Sequence, residues 1–569
     1  MTPSPFSDCN IRRNLLGLCV VAIACRAPTR APAELVFRHG AIYTMDAARS
    51  WAGAVAVRQG RIVYVGPDTL PSDLIGPHTE VVDLRGGMML PAFEDAHVHL
   101  IDGGVELGDC DLNPAESAAA VAAAVRACAA AHPALPWIRG SGWQLPYFPD
   151  GNPGKELLDS LVPDRPALLW AADGHSAWAN SRALAQAGIT RDTPDPANGR
   201  IERDPRTREP TGTLRESAAD LFDRVLPARS DAELAAGLDR AQRLAHSFGV
   251  TTIFEADAEE PELRGYADAD RAGRLHLRVV AAMDGSGSGD SMLARLRDWR
   301  VRYTTAHVRP SAVKLFQDGV IEARTAALLA PYLDRHGDAG RPMRDQATLN
   351  AVTRALDREG YQIHVHAIGD RAIRMTLDAL EQVATANGPR DRRPGIAHLE
   401  LIDPADISRF RRLGVVANFQ ARWANGDEYL TRMTEPALGP ARNRWLYPIA
   451  SVARTGAVLA GGSDWSVSSL DPLEAIEVGI THREPGDTVA PPWNPAERVD
   501  LQTMLAMYTI NAAWALHLEP ETGSIEVGKS ADLIVLDHDL FALPAWRIHE
   551  AKVARTVHEG RTVFQRQGE

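Results

Sequence analysis

The 569-residue sequence predicts an α/β fold: a (β/α)8 TIM-like barrel, a small β-sandwich domain formed by both chain ends, and a large insertion after barrel strand one. Three observations predict it. Short strands punctuated by Gly turns occur at both termini and share one texture. Between residues 92 and 515, apolar strands alternate with amphipathic helices, which implies a parallel sheet. Residues 103–248 are too long for a connecting loop and carry Ala-rich helical texture of their own. The composition is that of a globular chain, 45% hydrophobic and 24% charged. A formal net charge of −13 speaks against a nucleic-acid partner, which would need basic surface to meet phosphates.

Residues 1–32 read as an address. Arg12 and Arg13 precede "NLLGLCVVAIAC", an apolar run too short to span a bilayer comfortably. A basic region, a short apolar core and small residues make a secretory signal, so the expected location is periplasmic or secreted. "RRNLL" also fits a twin-arginine signal, read by an exporter of folded proteins. "AIAC" resembles a lipobox, in which a lipidated Cys25 would attach the chain to a membrane. Cys9, Cys19 and Cys25 belong to this leader. The remaining two cysteines, Cys110 and Cys128, are able to pair in an oxidising compartment, and no Cys-x-x-Cys metal motif exists.

Residues 33–91 and 516–569 alternate apolar and polar positions around Gly turns, the pattern of half-buried antiparallel sheet. Two terminal blocks of one kind predict a composite domain. Within 92–515 the expected strands are 93–100, 249–256, 275–283, 311–319, 361–370, 394–402, 414–420 and 457–466. Helical patterns such as "RDQATLNAVTRALDREG" and "DRAIRMTLDALEQVATANG" separate them, each stopping at Gly. Eight such units close into a barrel whose catalytic groups lie at the C-terminal strand ends.

Metal-capable residues gather at those ends. In "FEDAHVHL", His97 and His99 are two apart, so a strand points both to one face, where two neutral imidazoles can bind one ion. Strand four carries Lys314 between Val313 and Leu315. A buried lysine lowers its pKa, and a neutral amine can take up carbon dioxide as a carbamate that bridges two metals. The bland reading pairs Lys314 with Asp318 or lets it snorkel to the rim. Strand five offers His364 and His366 on one face; His366, nearer the strand end, is preferred as ligand and His364 is its rival. Strand six carries His398, and strand eight ends with Asp464 in "GGSDWS". A carboxylate there can accept a proton from metal-acidified water and pass it to a leaving nitrogen, or can be a plain turn residue.

His-x-His, Lys, His, His and Asp on strands one, four, five, six and eight resemble the amidohydrolase superfamily. "DGHSAWANSRAL", "VKLFQDGVIEARTAALLAPYLD", "HVHAIGDRAI", "GGSDWSV" and "GSIEVGKSADLIVLD" are similar, more closely, to its amidohydrolase-3, YtcJ-like group, over roughly residues 34–565. The resemblance implies one or two divalent ions, usually zinc, and hydrolysis of amide-like C–N bonds. Carried over by position, it implies His97, His99, Lys314, His366 and His398 as ligands and Asp464 as ligand and base. His175, in "DGHSAWAN", resembles a position near substrate and could polarise a carbonyl. The sequence departs from the group's pattern at Ala92, where Gly is usual, and at Ala397, which replaces an acidic residue before His398; Glu400 is the nearest acidic substitute.

The expected activity is metal-dependent hydrolysis of a small N-acyl, N-formyl or cyclic amide, with an ester, lactone or carbamate hydrolase, or a non-catalytic ligand-binding protein on the same scaffold, as the alternatives. Trp143, Trp178, Phe316 and Trp465 are expected as apolar walls beside His175 at the barrel mouth. The expected partner is a small-molecule substrate. The oligomeric state is open, a dimer among the options.

Overall fold

The computed structural model describes residues 31–567, so Arg12, Arg13, the apolar leader run and Cys25 lie outside the described residues. Eight parallel strands form the central ring: β1 (Phe93–Val98), β2 (Val250–Ala258), β3 (Arg278–Asp284), β4 (Val308–Phe316), β5 (Gln362–Ala367), β6 (Gly395–His398), β7 (Val416–Phe419) and β8 (Leu459–Gly461). All eight correspond to strands expected from the sequence. The ring is joined between its ends just beyond β8, where the Asp464 amide donates to the His97 carbonyl at 2.8 Å and the His99 amide to the Trp465 carbonyl at 3.0 Å. Among the described residues, no helix is long and apolar enough to cross a membrane.

Helix ends follow local chemistry. Asp345 accepts the Thr348 amide to cap Gln346–Arg358, and Asp370–Asn387 stops at Gly388, whose φ of 76° lies in the left-handed region that glycine tolerates. The N-terminal end of the barrel is plugged by small side chains: Ala512 and Ala515 of the helix Ile510–Ala515 meet Ala96, Val416 and Ala460.

β1 is not a regular strand. Against β2 its register jumps from Ile253–Asp95 to Glu255–Val98, so three steps on β1 match two on β2. Such a bulge re-aims side chains beside active sites. Ala96 can therefore join the barrel plug while its neighbour His97 faces Asp464.

The insertion has its own six-stranded sheet, with Cys110–Asp111 at one edge and Gly199–Arg203 at the other. Its Ala-rich segment is the helix Ala118–Ala131, joined to the sheet by a Cys110–Cys128 disulfide with Cα atoms 5.7 Å apart. The helix Asp231–Ser247, within the span read as insertion, instead packs on Leu100–Glu106 and on β2 as a barrel helix. A Ser230–Glu233 capping box starts it. Glycines permit that packing: a Cβ on Gly104 would stand 2.1 Å from the Gly237 carbonyl oxygen.

Strands from both chain ends form one eight-stranded sheet, in which Met88–Pro91 pairs with Leu533–Leu536. The sequence suggested antiparallel pairing throughout, but two pairings are parallel. Leu35–Tyr43 runs parallel to Glu80–Asp83 along its first half and to Met88–Pro91 near its end, dividing at a bulge between Arg38 and Ile42. Arg278 of β3 ties this sheet to the barrel through a 2.6 Å ion pair with Asp532, both side chains 4% exposed.

Candidate active site

The C-terminal ends of the barrel strands bring five of the six expected groups around Asp464. One oxygen of that carboxylate, Oδ1, lies 3.3 Å from His97 Nε2 and 3.3 Å from His99 Nε2, while Oδ2 is 3.8 Å from His398 Nδ1. Lys314 Nζ stands 3.4 Å from His97 Nε2, and the His366 ring centroid is 4.4 Å from that of His398. His97, His398 and Asp464 each present a donor atom within 4.8 Å of the others. His366 is set slightly apart, its Nε2 3.3 Å from the Gly319 carbonyl.

The electrostatics suit a cation. Burial pushes the imidazoles of His97, His366 and His398 well below the usual histidine range, so they are neutral with lone pairs available. Burial also lowers Lys314, although Asp257, Asp464 and Glu255 pull it the other way. Lys314 is 2% exposed and does not snorkel, and Asp318 is occupied by the amides of Ala327, Ile368 and Gly369. Both bland readings of this lysine therefore fail. Burial opposes ionisation of Asp464, but His97 and His99 hold it well below the carboxylate range. The same pairing overcomes burial at His99 and lifts it to about 9. Three neutral imidazoles, a carboxylate and a desolvated lysine on one spot fit a divalent ion, which would displace the His99 proton on binding.

Backbone conformation helps to aim these groups. His398 (φ 79°), Leu399 (φ 53°) and Asp464 (φ 53°) occupy the left-handed region that non-glycine residues rarely adopt and that concentrates at functional sites.

A cavity of about 580 Å3 opens over the group, reached by His175, His366, His398, Asp464 and Trp465. His175 comes from the insertion. The antiparallel register that sets Ser176 opposite Arg215 sets His175 against Glu216, and His175 Nδ1 lies 2.8 Å from Glu216 Oε2. Thr325, from the loop after β4, donates to the other Glu216 oxygen at 2.6 Å and so ties the insertion to the barrel. Burial disfavours the His175 cation, yet the Glu216 charge and hydrogen bond, with Asp173, raise it to about 9.

Three expected wall residues are elsewhere. Trp143 and Trp178 are fully buried in the insertion, packed with Phe148, and their indole N–H groups donate to the carbonyls of Leu169 and Gly154. Large aromatic area favours a core as readily as a ligand wall, which is why the sequence misleads here. Phe316 lies beneath the Lys314 ammonium, 4.7 Å from ring centroid to Nζ, and against His366 rather than on the cavity. The aromatic walls are Trp465, Trp423, Tyr429 and Tyr447, and Trp423 stacks on His398 at 6°.

Further groups support these ligands, and of them the sequence singled out His364 alone, as the rival ligand to His366. His364 lies one step below His366, with Nε2 2.9 Å from His97 Nδ1, and braces that ring. Gln420 Oε1 meets His398 Nδ1 at 3.0 Å, and Asp95 Oδ1 accepts the amides of His97 and Ser463. Such outer partners fix ring orientation. Only His364, through its same-face spacing with His366, left a readable signal.

Comparison with known proteins agrees with this geometry. The Amidohydrolase family model matches residues 80–564. The chain is 30% identical to the putative amidohydrolase YtcJ of Bacillus subtilis, over 94% of this chain and all of that one. It is 28% identical to an N-substituted formamide deformylase of Arthrobacter pascens, over 94% of this chain and 99% of that one. An uncharacterised metal-dependent hydrolase of Pyrococcus furiosus superposes with a TM-score of 0.68 at 25% identity, covering 89% of this chain and 99% of the other. Barrel, histidine cluster and sequence relationship together place the chain in the amidohydrolase family, among its YtcJ-like members.

Proposed function

We propose that the protein hydrolyses a C–N bond of a small N-acyl or N-formyl compound, giving a carboxylic acid and an amine. The observation that carries this reading is the Asp464 carboxylate, 3.3 Å from both His97 and His99 on the floor of the cavity. His97, His99, His366, His398 and Asp464 would hold one or two divalent ions, zinc by donor type, with Lys314 as a bridging ligand if it is carboxylated. A bound ion acidifies water and polarises a carbonyl oxygen.

The chain's own groups supply the rest. Asp464 takes the proton of the attacking water and delivers it to the departing nitrogen, which leaves as a neutral amine. His175, kept protonated by Glu216, donates a hydrogen bond to the carbonyl oxygen as negative charge grows there. Trp465 and Trp423 limit water access from the cavity sides. The relationship to a formamide deformylase supports a formyl or small acyl group. The leader sequence and the Cys110–Cys128 disulfide support export to an oxidising compartment.

Metal analysis of purified protein, paired with a panel of matched amides and esters, tests the reading. Expected are stoichiometric divalent metal, loss of amide hydrolysis on chelation, and recovery on adding zinc. Metal-replete protein that cleaves the esters and none of the amides would overturn it.

A further inference from the structure

We infer that the substrate of this site carries a cationic group, such as a protonated amine, away from the bond that is cut, and that the Glu400 carboxylate receives it. The inference rests on the hydrolase reading above and adds the substrate's charge class.

Besides Asp464, the cavity wall contains the carboxylates of Asp111, Asp173, Glu322, Glu400, Asp427 and Glu484, against one arginine, Arg422. Arg422 is already held by Glu474 at 3.4 Å and Glu484 at 2.8 Å. Five of the six carboxylates are occupied by the fold. Asp111 accepts from Asn113, Asp173 from the His175 amide and Ser176, Glu322 from Thr434, Asp427 from the Leu430 amide, and Glu484 from Arg422 and Asn425.

Glu400 differs. It is 4% exposed and lines the cavity, its side chain meets the fold only through the Tyr447 hydroxyl, and its Oε2 is left without a partner. A buried carboxylate oxygen left without a partner is costly, and a native structure normally satisfies it. No unpaired cation of the wall is free to do so, whereas an ammonium or guanidinium brought by a ligand is. Its position suits this role: Glu400 lies two residues beyond His398, on the segment where His398 and Leu399 take left-handed backbone angles at the cavity edge. Trp423 and Tyr429 line the same cavity and offer faces that attract a cation.

The test uses metal-loaded protein and three matched compounds: mono-N-formyl diaminobutane, N-formyl aminobutanol and N-formyl aminobutyrate. They share chain length and scissile bond and differ in a terminal ammonium, hydroxyl or carboxylate. Calorimetry gives binding, and formate release gives turnover. The ammonium compound is expected to bind at least about tenfold tighter than the alcohol, as a charge-assisted hydrogen bond provides. The carboxylate compound is expected to bind weakest. In Glu400→Gln the ammonium-to-alcohol ratio should fall toward one, and in Glu400→Asp, which keeps the charge, it should persist. Equal binding of ammonium and alcohol by the native protein overturns the inference, as does a ratio that survives Glu400→Gln. If the ammonium compound binds selectively and no formamide is cut, the hydrolase reading fails while the charge preference stands. If neutral formamides are bound and cut as well as the cationic one, the reverse holds.

Discussion

Replacing Glu216 with Gln isolates the charge that keeps His175 protonated. The two residues are 2.8 Å apart, and Glu216 with Asp173 carries His175 from an ordinary value near 6.5 to about 9 against the opposing effect of burial. Gln keeps the shape and a polar contact but not the charge. At pH 8 a histidine with pKa 9 is about 90% protonated, and one at or below 6.5 is about 3% protonated. If only the imidazolium donates to the carbonyl oxygen, kcat/KM at pH 8 falls about 30-fold or more. The loss shrinks as pH falls, because the variant regains its proton below about 6.5. The descending limb of the pH–rate profile therefore moves down by about two units or more, while the native protein holds its rate to about pH 9. Stability follows the same sign. A raised histidine pKa stabilises the fold fully below about 6.5, and that contribution fades as pH rises through about 9. The assay is kcat/KM against pH for native and Glu216→Gln protein, with histidine side-chain NMR to follow His175 itself. An unchanged descending limb, with His175 shown by NMR to have lost its proton, would refute the role assigned to this imidazolium.

Asp464→Asn should retain metal through the histidines while kcat/KM drops by about 10²- to 10⁴-fold, as loss of a proton-transfer group does; metal analysis beside kinetics checks it, and native turnover would exclude Asp464 as the base. His364→Phe removes the brace on His97, so metal affinity should weaken by about 10- to 100-fold, read by chelator competition. Asp532→Asn removes the 2.6 Å partner of the buried Arg278, leaving it Glu559 at 2.9 Å, and should cost about 1–3 kcal/mol in denaturant unfolding. Asp532 is held below the usual carboxylate range: burial opposes this, and Arg278 and His558 overcome it. Its contribution is present above about pH 4 and is lost as pH falls further, so the native protein should lose its stability advantage over the variant in acid.

What could be read from sequence, and what could not, divides along a physical line. Strand periodicity is local, and the barrel rule converts it into place, so His97, His99, Lys314, His366, His398 and Asp464 were each legible as groups at a strand's catalytic end. Regular alternation fails in β1. A bulge between Asp95 and Val98 takes in His97, and His99 lies just past the end of the strand. Both rings nevertheless reach Asp464 Oδ1 at 3.3 Å. Partnerships fixed by non-local register were not legible. Glu216 lies 41 positions from His175, and nothing in "GTLRE" marks it until Ser176 is set opposite Arg215. Glu400 was noted only as a substitute for an acidic residue missing at 397. Its significance depends on the neighbouring carboxylates being occupied and its own Oε2 having no partner. Trp143 and Trp178 failed for a related reason: an aromatic side chain gains from burial whether a core or a ligand covers it, so composition near a mouth cannot say which. Metal-ligand geometry in such a barrel is thus encoded strand by strand. On the proposed reading, substrate choice is encoded by which polar groups the fold leaves unsatisfied, and for that reason Glu400, rather than a metal-facing position, is where variation should redirect this family member from one substrate to another.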